Sequence, residues 1–139
     1  MGKRLVGTLS IYLDTQIVVW LGAGQTEKLS PPASAAIELS ELEISPMVLL
    51  ELEYLYEIKR IVKPPLALLD QLQTLIGLKV SSHSFSAVAH TALFETWTRE
   101  PFDRIIVAHA RSDGYAGLIS SDEKIQQNYS KTIWNVNGL

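Results

Sequence analysis

Short apolar runs alternate along the chain with longer segments whose apolar residues recur every three or four positions. The short runs are typical of buried β-strands, and the longer segments are typical of amphipathic helices. Strands are predicted at LSIYL (9–13), LEIS (42–45), GLKVS (77–81), GLISS (117–121) and TIWNV (132–136). This alternation favours an α/β fold, in which a mostly parallel sheet of about five strands has helices on both faces.

The segments with helical spacing have recognisable starts. Helices are predicted at 15–22, 31–40, 46–62, 65–77, 84–97, 101–112 and 122–129. Prolines stand at several of these starts, where the missing N–H group costs no hydrogen bond: Pro31, Pro46, Pro64 and Pro101. No repeat or long linker interrupts the 139 residues, and 47% hydrophobic side chains suffice for one substantial core. We therefore expect a single domain over residues 1–139.

Composition narrows the classes of function. The chain contains no cysteine, which excludes disulfides, thiolate metal sites and a cysteine nucleophile. No apolar run approaches the roughly 20 residues that a membrane-spanning helix needs, and the N-terminal apolar segment is too short for a secretory signal. A cytoplasmic protein without membrane contact is expected. The net charge of −3 argues against broad wrapping of nucleic acid but leaves room for a local basic patch.

Two acids follow predicted strands. Asp14 comes directly after the first strand, and Asp122 comes shortly after the fourth. The carboxyl ends of parallel strands form the edge at which open α/β sheets bind ligands. Both acids also have a structural interpretation, because Asp14 or Thr15 suits a helix N-cap and Ser120 to Glu123 has the spacing of a capping box.

Glu51 belongs to the predicted helix 46–62. At 100° per residue it shares a face with a set of apolar or aromatic side chains: Met47, Tyr54, Leu55, Ile58 and Val62. A carboxylate in a core-facing stripe is costly unless it is paired, hydrogen-bonded or bound to a cation. The alternative is a glutamate at the edge of the stripe, with its stem packed and its head in water.

Asp103 heads another apolar stripe. In the predicted helix 101–112 it lies on the same face as Ile106, Val107 and Ala110. Its structural alternative is an acid of the first turn, which complements the helix dipole. The neighbouring Arg104 suits a surface charge, an ion pair with one of the acids, or a phosphate contact.

Four carboxylates at strand ends and on predicted core-facing stripes suggest one shared site. Their negative charges need compensation, and oxygen ligands of this kind suit Mg²⁺ or Mn²⁺. A divalent ion can polarise a phosphodiester and lower the pKa of an attacking water. Metal-assisted phosphodiester hydrolysis is therefore the predicted chemistry.

Four segments, in their order and spacing, resemble the PIN-domain ribonucleases, particularly VapC-type toxins of VapBC toxin–antitoxin pairs. YLDTQIVVWL is similar to the first strand and acid of that family, and ISPMVLLELEYLYEIKRI resembles the segment with its glutamate. REPFDRIIVAHA resembles the segment of the third acid, and LISSDEKI resembles the turn with a hydroxyl residue and the last acid. The resemblance assigns catalytic and metal-binding roles to Asp14, Glu51, Asp103 and Asp122, with Thr15, Arg104 and Ser120 as supporting or phosphate-binding residues.

The resemblance implies a three-layer PIN-like fold and Mg²⁺-dependent endonucleolytic cleavage of RNA, with Mn²⁺ as a possible substitute. It also implies inhibition by a cognate antitoxin, and the apolar helices make a homodimer plausible. Gln16 stands where the family commonly has histidine, and Glu100 stands where it has aspartate. The N-terminal MGKRLVG is longer than the start of many members, as an extra strand or a tail.

Two other classes of function remain open. One is a catalytically inactive PIN-like module whose acidic pocket binds a basic protein segment or RNA. The other is a receiver-like phosphoacceptor domain, which ranks last because its adjacent acidic pair and late lysine are not evident. Residues without metal-site or nucleophile spacing are expected to be structural: His83, His90, His109, Trp20, Trp97 and Trp134. The basic cluster Lys59, Arg60 and Lys63 suits either RNA attraction or a solvated helix end.

Overall fold

The computed structural model describes residues 10–135, which contain a five-stranded, fully parallel sheet. The strands are β1 (Ser10–Leu13), β2 (Glu41–Ile44), β3 (Lys79–Val80), β4 (Gly117–Ile119) and β5 (Thr132–Ile133), in the order β3-β2-β1-β4-β5. The predicted α/β fold class is confirmed. MGKRLVG, Leu9 at the start of the first predicted strand, and Val136 at the end of the fifth lie outside the described residues.

The strand order reverses between β1 and β4. Because parallel crossovers are right-handed, the connections from β1 to β3 and those from β3 to β5 cover opposite faces of the sheet. The register pairs Leu13 with Ile119, so Asp14 and Ser120 are the next residues beyond two neighbouring strands. This reversal creates the crevice at which open α/β sheets bind ligands.

Seven helices are found in the described part of the chain. They are α1 (Thr15–Gly22), α2 (Pro31–Leu39), α3 (Pro46–Glu57), α4 (Pro65–Ile76), α5 (Phe85–Ala92), α6 (Pro101–Ser112) and α7 (Glu123–Asn128), and a 3-10 turn lies at Thr26–Lys28. The starts agree with the predictions to within one residue. None of these helices is long and apolar enough to cross a membrane.

The predicted ends of two helices are wrong. Helix α3 ends at Glu57 instead of 62, and Lys59, two residues later, has a φ of 64°, which is incompatible with a continuing α-helix. Helix α5 ends at Ala92 instead of 97, and the backbone then turns towards Pro101.

The predicted core-facing stripe of α3 is also wrong. The buried residues of this helix are Val48 and Leu52, whereas 51% of Tyr54 and 92% of Val62 are exposed. Glu51 therefore lies at the border of the buried face. The stripe predicted for α6 is confirmed, because Ile106, Val107 and Ala110 are fully buried in the main core.

The three tryptophans are partly buried and pack against the main core, as predicted. Trp20 and Trp134 lie close together, with ring centroids 6.1 Å apart. His109 is completely buried, and His83 is partly buried beside it with ring centroids 5.8 Å apart. His90 is exposed near the end of α5.

Candidate active site

Asp14 is a buried carboxylate at the end of β1. Its Oδ1 accepts a hydrogen bond of 2.9 Å from the backbone N–H of Thr15, so Asp14 is the N-cap of α1. Its Oδ2 accepts one of 2.7 Å from the hydroxyl of Ser120, which lies just beyond β4. The cap interpretation is confirmed, and the same carboxylate lies in the crevice between β1 and β4.

Ser120 also stabilises the turn that follows β4. Its Oγ accepts a hydrogen bond of 3.1 Å from the backbone N–H of Asp122. The predicted capping box is wrong, because the N-cap of α7 is Asp122. Its Oδ1 accepts a hydrogen bond of 2.9 Å from the backbone N–H of Ile125. Ser120 thus connects Asp14 to the turn that carries Asp122.

Glu51 is connected to the same crevice through Thr15. The buried Thr15 hydroxyl donates a hydrogen bond of 2.5 Å to Glu51 Oε1. Because Thr15 is the first residue of α1 and follows Asp14 directly, this bond joins α3 to the helix that Asp14 caps. The head of Glu51 therefore lies beside the crevice rather than in free solvent.

Asp103 and Glu100 lie together at the start of α6. Glu100 is the N-cap of this helix, and its Oε1 accepts a hydrogen bond of 2.7 Å from the backbone N–H of Asp103. The backbone N–H of Glu100 in turn donates 3.1 Å to the hydroxyl of the buried Thr98. Glu100 thus serves as the cap of α6.

The carboxylates influence one another electrostatically. Burial raises the pKa of Asp14, and the charges of Asp122 and Glu100 raise it further, while the bonds from Ser120 and Thr15 lower it. Burial raises the pKa of Asp103 to about 7, with additional contributions from Asp14, Glu100, Asp122 and Glu51. Burial, followed by the charges of Asp14 and Glu100, also raises the pKa of Glu51 despite its bond from Thr15. The four predicted acids and Glu100 thus share one electrostatic field.

This donor set suits a hard divalent cation, because it consists of carboxylate oxygens whose mutual repulsion a cation would relieve. Among residues 10–135, no group of three or more His, Cys, Asp or Glu side chains is placed so that it could hold a metal ion. Mg²⁺ usually keeps several waters and binds to only one or two protein carboxylates, so a site for it does not require three such side chains.

The hydrogen bonds of the Arg104 side chain go to backbone carbonyl groups. Its guanidinium donates to the backbone carbonyl oxygens of Ala92 at 2.8 Å, Thr98 at 3.1 Å and Leu93 at 3.4 Å.

Glu100 was not predicted from the sequence to be one of the site acids. Its position directly before Pro101, where an N-cap belongs, was the available signal.

Comparison with known proteins identifies the family to which this chain belongs. The PIN domain matches residues 11–131, a range that contains Asp14, Glu51, Asp103 and Asp122. The chain belongs to the PIN domain family. No curated protein matches it significantly over its length.

Two solved structures share the fold of this PIN domain. One is VapBC2 from Rickettsia felis bound to a DNA fragment from its promoter, with a TM-score of 0.62 and 18% identity. The match covers 91% of this chain and 100% of that one. The other is DNA-bound VapBC from Salmonella typhimurium, with a TM-score of 0.61, 18% identity, and 90% and 96% coverage.

Proposed function

We propose that this PIN domain is a Mg²⁺-dependent endoribonuclease and the VapC-type toxin of a type II toxin–antitoxin pair. The observation that supports the proposal is the electrostatic coupling of Asp14, Asp103 and Asp122 around the β1–β4 crevice, where burial and neighbouring charges raise the pKa of the first two. Carboxylates in such a field favour a bound cation. The PIN family membership and the VapBC fold matches support the same function.

Asp14, Asp103, Asp122 and Glu51 are the residues that would hold the ion. Bound there, Mg²⁺ would offset the negative charge of the phosphate, lower the pKa of an attacking water and stabilise the leaving 3′ oxygen. Mn²⁺ offers similar chemistry to the same oxygen ligands. Single-stranded RNA is the proposed substrate, because unpaired segments leave the phosphodiester exposed.

Hydrogen bonds hold the carboxylates of Asp14 and Glu51 in place before any ligand arrives. Ser120 and the Thr15 N–H fix both oxygens of Asp14, and the Thr15 hydroxyl fixes one oxygen of Glu51. Preorganised carboxylates need less rearrangement on binding. In the proposed mechanism Thr15 and Ser120 are therefore supporting residues that orient the acids.

Cleavage of a pool of structured and unstructured RNAs tests the enzyme proposal. The purified protein should cut with Mg²⁺ or Mn²⁺, should not cut with EDTA, and should lose at least about 100-fold in rate as Asp14→Asn. Asp70→Asn, which removes one exposed carboxylate on α4, is the matched control and should cut like wild type. Equal cleavage by Asp14→Asn would contradict the site assignment.

Calorimetric titration with Mn²⁺ tests the metal site without relying on turnover. Wild type and Asp70→Asn should bind the ion, and Asp14→Asn should bind it much more weakly. If wild type binds Mn²⁺ but leaves every RNA intact, the nuclease proposal is wrong and the binding-module interpretation is preferred.

The proposed partner is a small cognate antitoxin, by analogy with the VapBC complexes that share this fold. Co-expression with the protein encoded by the neighbouring reading frame should yield a stable complex in which RNA cleavage is suppressed.

We also propose a cytoplasmic homodimer. Light scattering of the free protein should give twice the mass of 15.4 kDa. A monomer at all concentrations would contradict the dimer.

A further inference from the structure

Arg104 joins α6 to the segment that precedes it. The three carbonyl groups that it binds belong to Ala92 and Leu93, at the C-terminal end of α5, and to Thr98 in the connection to α6. Carbonyl groups at a helix end have no partner within the helix, and a cation there is also favoured by the helix dipole. One half-buried guanidinium thus satisfies acceptors at both ends of residues 92–98.

A second arginine of α6 ties down the middle of the same segment. Arg111 donates to the carboxylate of the buried Glu95, with 2.6 Å from Nε to Oε2 and 3.3 Å from Nη2 to Oε1. Glu95 also accepts 2.7 Å from the indole N–H of Trp97. Since residues 104 and 111 are two helical turns apart, they lie on one side of α6. This side of α6 therefore holds residues 92–98 at three places.

The segment held by Arg104 leads directly to the acids. Thr98, whose carbonyl oxygen accepts from Arg104, uses its hydroxyl to accept from the N–H of Glu100. Glu100 then accepts from the N–H of Asp103. A continuous chain of hydrogen bonds thus runs from Arg104 to the backbone that carries Asp103.

We infer that Arg104 is a positioning residue, which fixes the start of α6 and so the location of Asp103 and Glu100, and does not bind the substrate phosphate. Three of the N–H groups of its guanidinium already have carbonyl partners. The guanidinium has five N–H groups in all, so two remain, one on each Nη, and the carbonyl bonds fix the direction in which these two point. The catalytic meaning of this inference depends on the proposed function, but the structural link does not.

Amide hydrogen exchange of the metal-free protein tests the link independently of activity. The reporters are the N–H groups of Glu95, Glu100 and Asp103, all of which are hydrogen-bonded within or next to this segment. Arg104→Gln should exchange at these amides at least about tenfold faster than wild type. Arg99→Gln removes the same charge from an exposed arginine nearby and should leave exchange unchanged. Unaltered exchange in Arg104→Gln would overturn the inference.

Steady-state kinetics separates positioning from phosphate binding. Arg104→Lys keeps the positive charge but loses the forked donors, and it serves as the milder variant if Arg104→Gln does not fold. Its kcat should fall about 10- to 100-fold while KM for RNA stays within about twofold, because Asp103 is displaced and substrate contacts are intact. A raised KM with unchanged kcat in Arg104→Gln, restored by Arg104→Lys, would instead show a phosphate contact.

Hydrogen exchange tests the positioning role and RNA cleavage tests the proposed function, so either one can be contradicted without the other. If wild type does not cut RNA while Arg104→Gln loosens the three reporter amides, the proposed function is wrong and the positioning role is retained. The affinity for Mn²⁺ should then still decrease in Arg104→Lys and remain at the wild-type value in Arg99→Gln. An unchanged Mn²⁺ affinity in Arg104→Lys would contradict the role in placing Asp103.

Discussion

Asp14 combines a structural and a proposed chemical role in one side chain. One oxygen caps α1 and the other accepts from Ser120, and a carboxylate oxygen has two lone pairs. Each oxygen therefore retains acceptor capacity for a cation. The two bonds favour the ionised form, against the effect of burial. At this position a helix cap and a metal ligand do not exclude each other.

Asp103 is predicted to destabilise the metal-free protein at neutral and alkaline pH. Its pKa is about 7 in the folded protein against an ordinary value of 3.8, so within this interval folding retains a proton that the unfolded chain releases. The free energy of unfolding consequently decreases as pH rises from about 4 to 7. Because Asp103 is only partly buried and water screens it, we expect Asp103→Asn to gain about 1 kcal/mol at pH 8, or about 3–5 °C in Tm.

Thermal unfolding in EDTA, followed by circular dichroism between pH 3.5 and 8, measures this effect. The difference between Asp103→Asn and wild type should be much smaller near pH 3.5, where Asp103 is protonated in the folded protein and mostly protonated in the unfolded chain. Asp70→Asn changes an exposed acid and should follow wild type throughout. A Tm of Asp103→Asn below that of wild type at pH 8 would show that the carboxylate is stabilising and the predicted sign is wrong.

At the scale of elements, the start of α6 depends on Glu100. Its side chain accepts the N–H of Asp103, and its charge raises the pKa of that acid. Glu100→Ala should therefore lose about 1 kcal/mol of stability, a typical value for removal of an N-cap. Glu100→Gln keeps an acceptor oxygen without the charge, so its stability loss should be smaller and the pKa of Asp103 should fall. Urea unfolding and NMR titration of Asp103 measure the two quantities.

The two Glu100 variants must differ for the cap to be supported. Equal stability losses in Glu100→Ala and Glu100→Gln would show that charge, not the hydrogen bond, is what the helix start requires. An unshifted pKa of Asp103 in Glu100→Gln would remove Glu100 from the shared field of the acids.

Helix starts were predictable from the sequence, and the ends of α3 and α5 were not. Starts depend on local signals such as the prolines of α2, α3 and α6 and the serine caps Ser30, Ser45 and Ser84. The end of α5 depends on distant partners, because its carbonyl groups bind Arg104. No pattern within residues 84–97 contains that information.

The candidate site shows the same division. The strand-end positions of Asp14 and Asp122 follow from the alternation of strands and helices, which the sequence displays directly. The surroundings of Glu51 were misjudged because periodicity identifies a helix face but not what covers it, and the core lies on the side of Val48 and Leu52. The contacts of Arg104 required the tertiary structure.

At the scale of the whole molecule, a buried polar network joins β1, α6 and the end of β3. The Tyr12 hydroxyl lies 2.8 Å from Ser81 Oγ and 2.5 Å from Asp113 Oδ2, and His109 Nε2 lies 3.0 Å from Ser81 Oγ. If Tyr12 donates its one proton to Asp113, Ser81 donates to Tyr12 and His109 Nε2 donates to Ser81. His109 Nδ1 then carries a lone pair without a hydrogen-bond partner in the described part of the chain.

This network predicts acid sensitivity of the fold. Burial, with the charge of His83, lowers the pKa of His109 to about 4 from an ordinary 6.5, and the opposing charges of Asp113 and Glu43 do not compensate. Between these values the unfolded chain binds a proton that the folded protein excludes, so stability decreases as pH falls. Asp103 contributes a slope of opposite sign over much of the same interval, which partly conceals the effect in wild type.

The slope is therefore best measured in the Asp103→Asn background, by urea unfolding between pH 4 and 7. Adding His109→Phe keeps a ring of similar size and removes the titrating group, and His90→Gln changes an exposed histidine as the control. The free energy of unfolding of Asp103→Asn should depend on pH more steeply than that of the double variant, by at most about 1.4 kcal/mol per pH unit, the limit for one proton. Parallel dependences would mean that His109 takes up a proton in the folded protein, and the buried network would then have to accommodate an imidazolium.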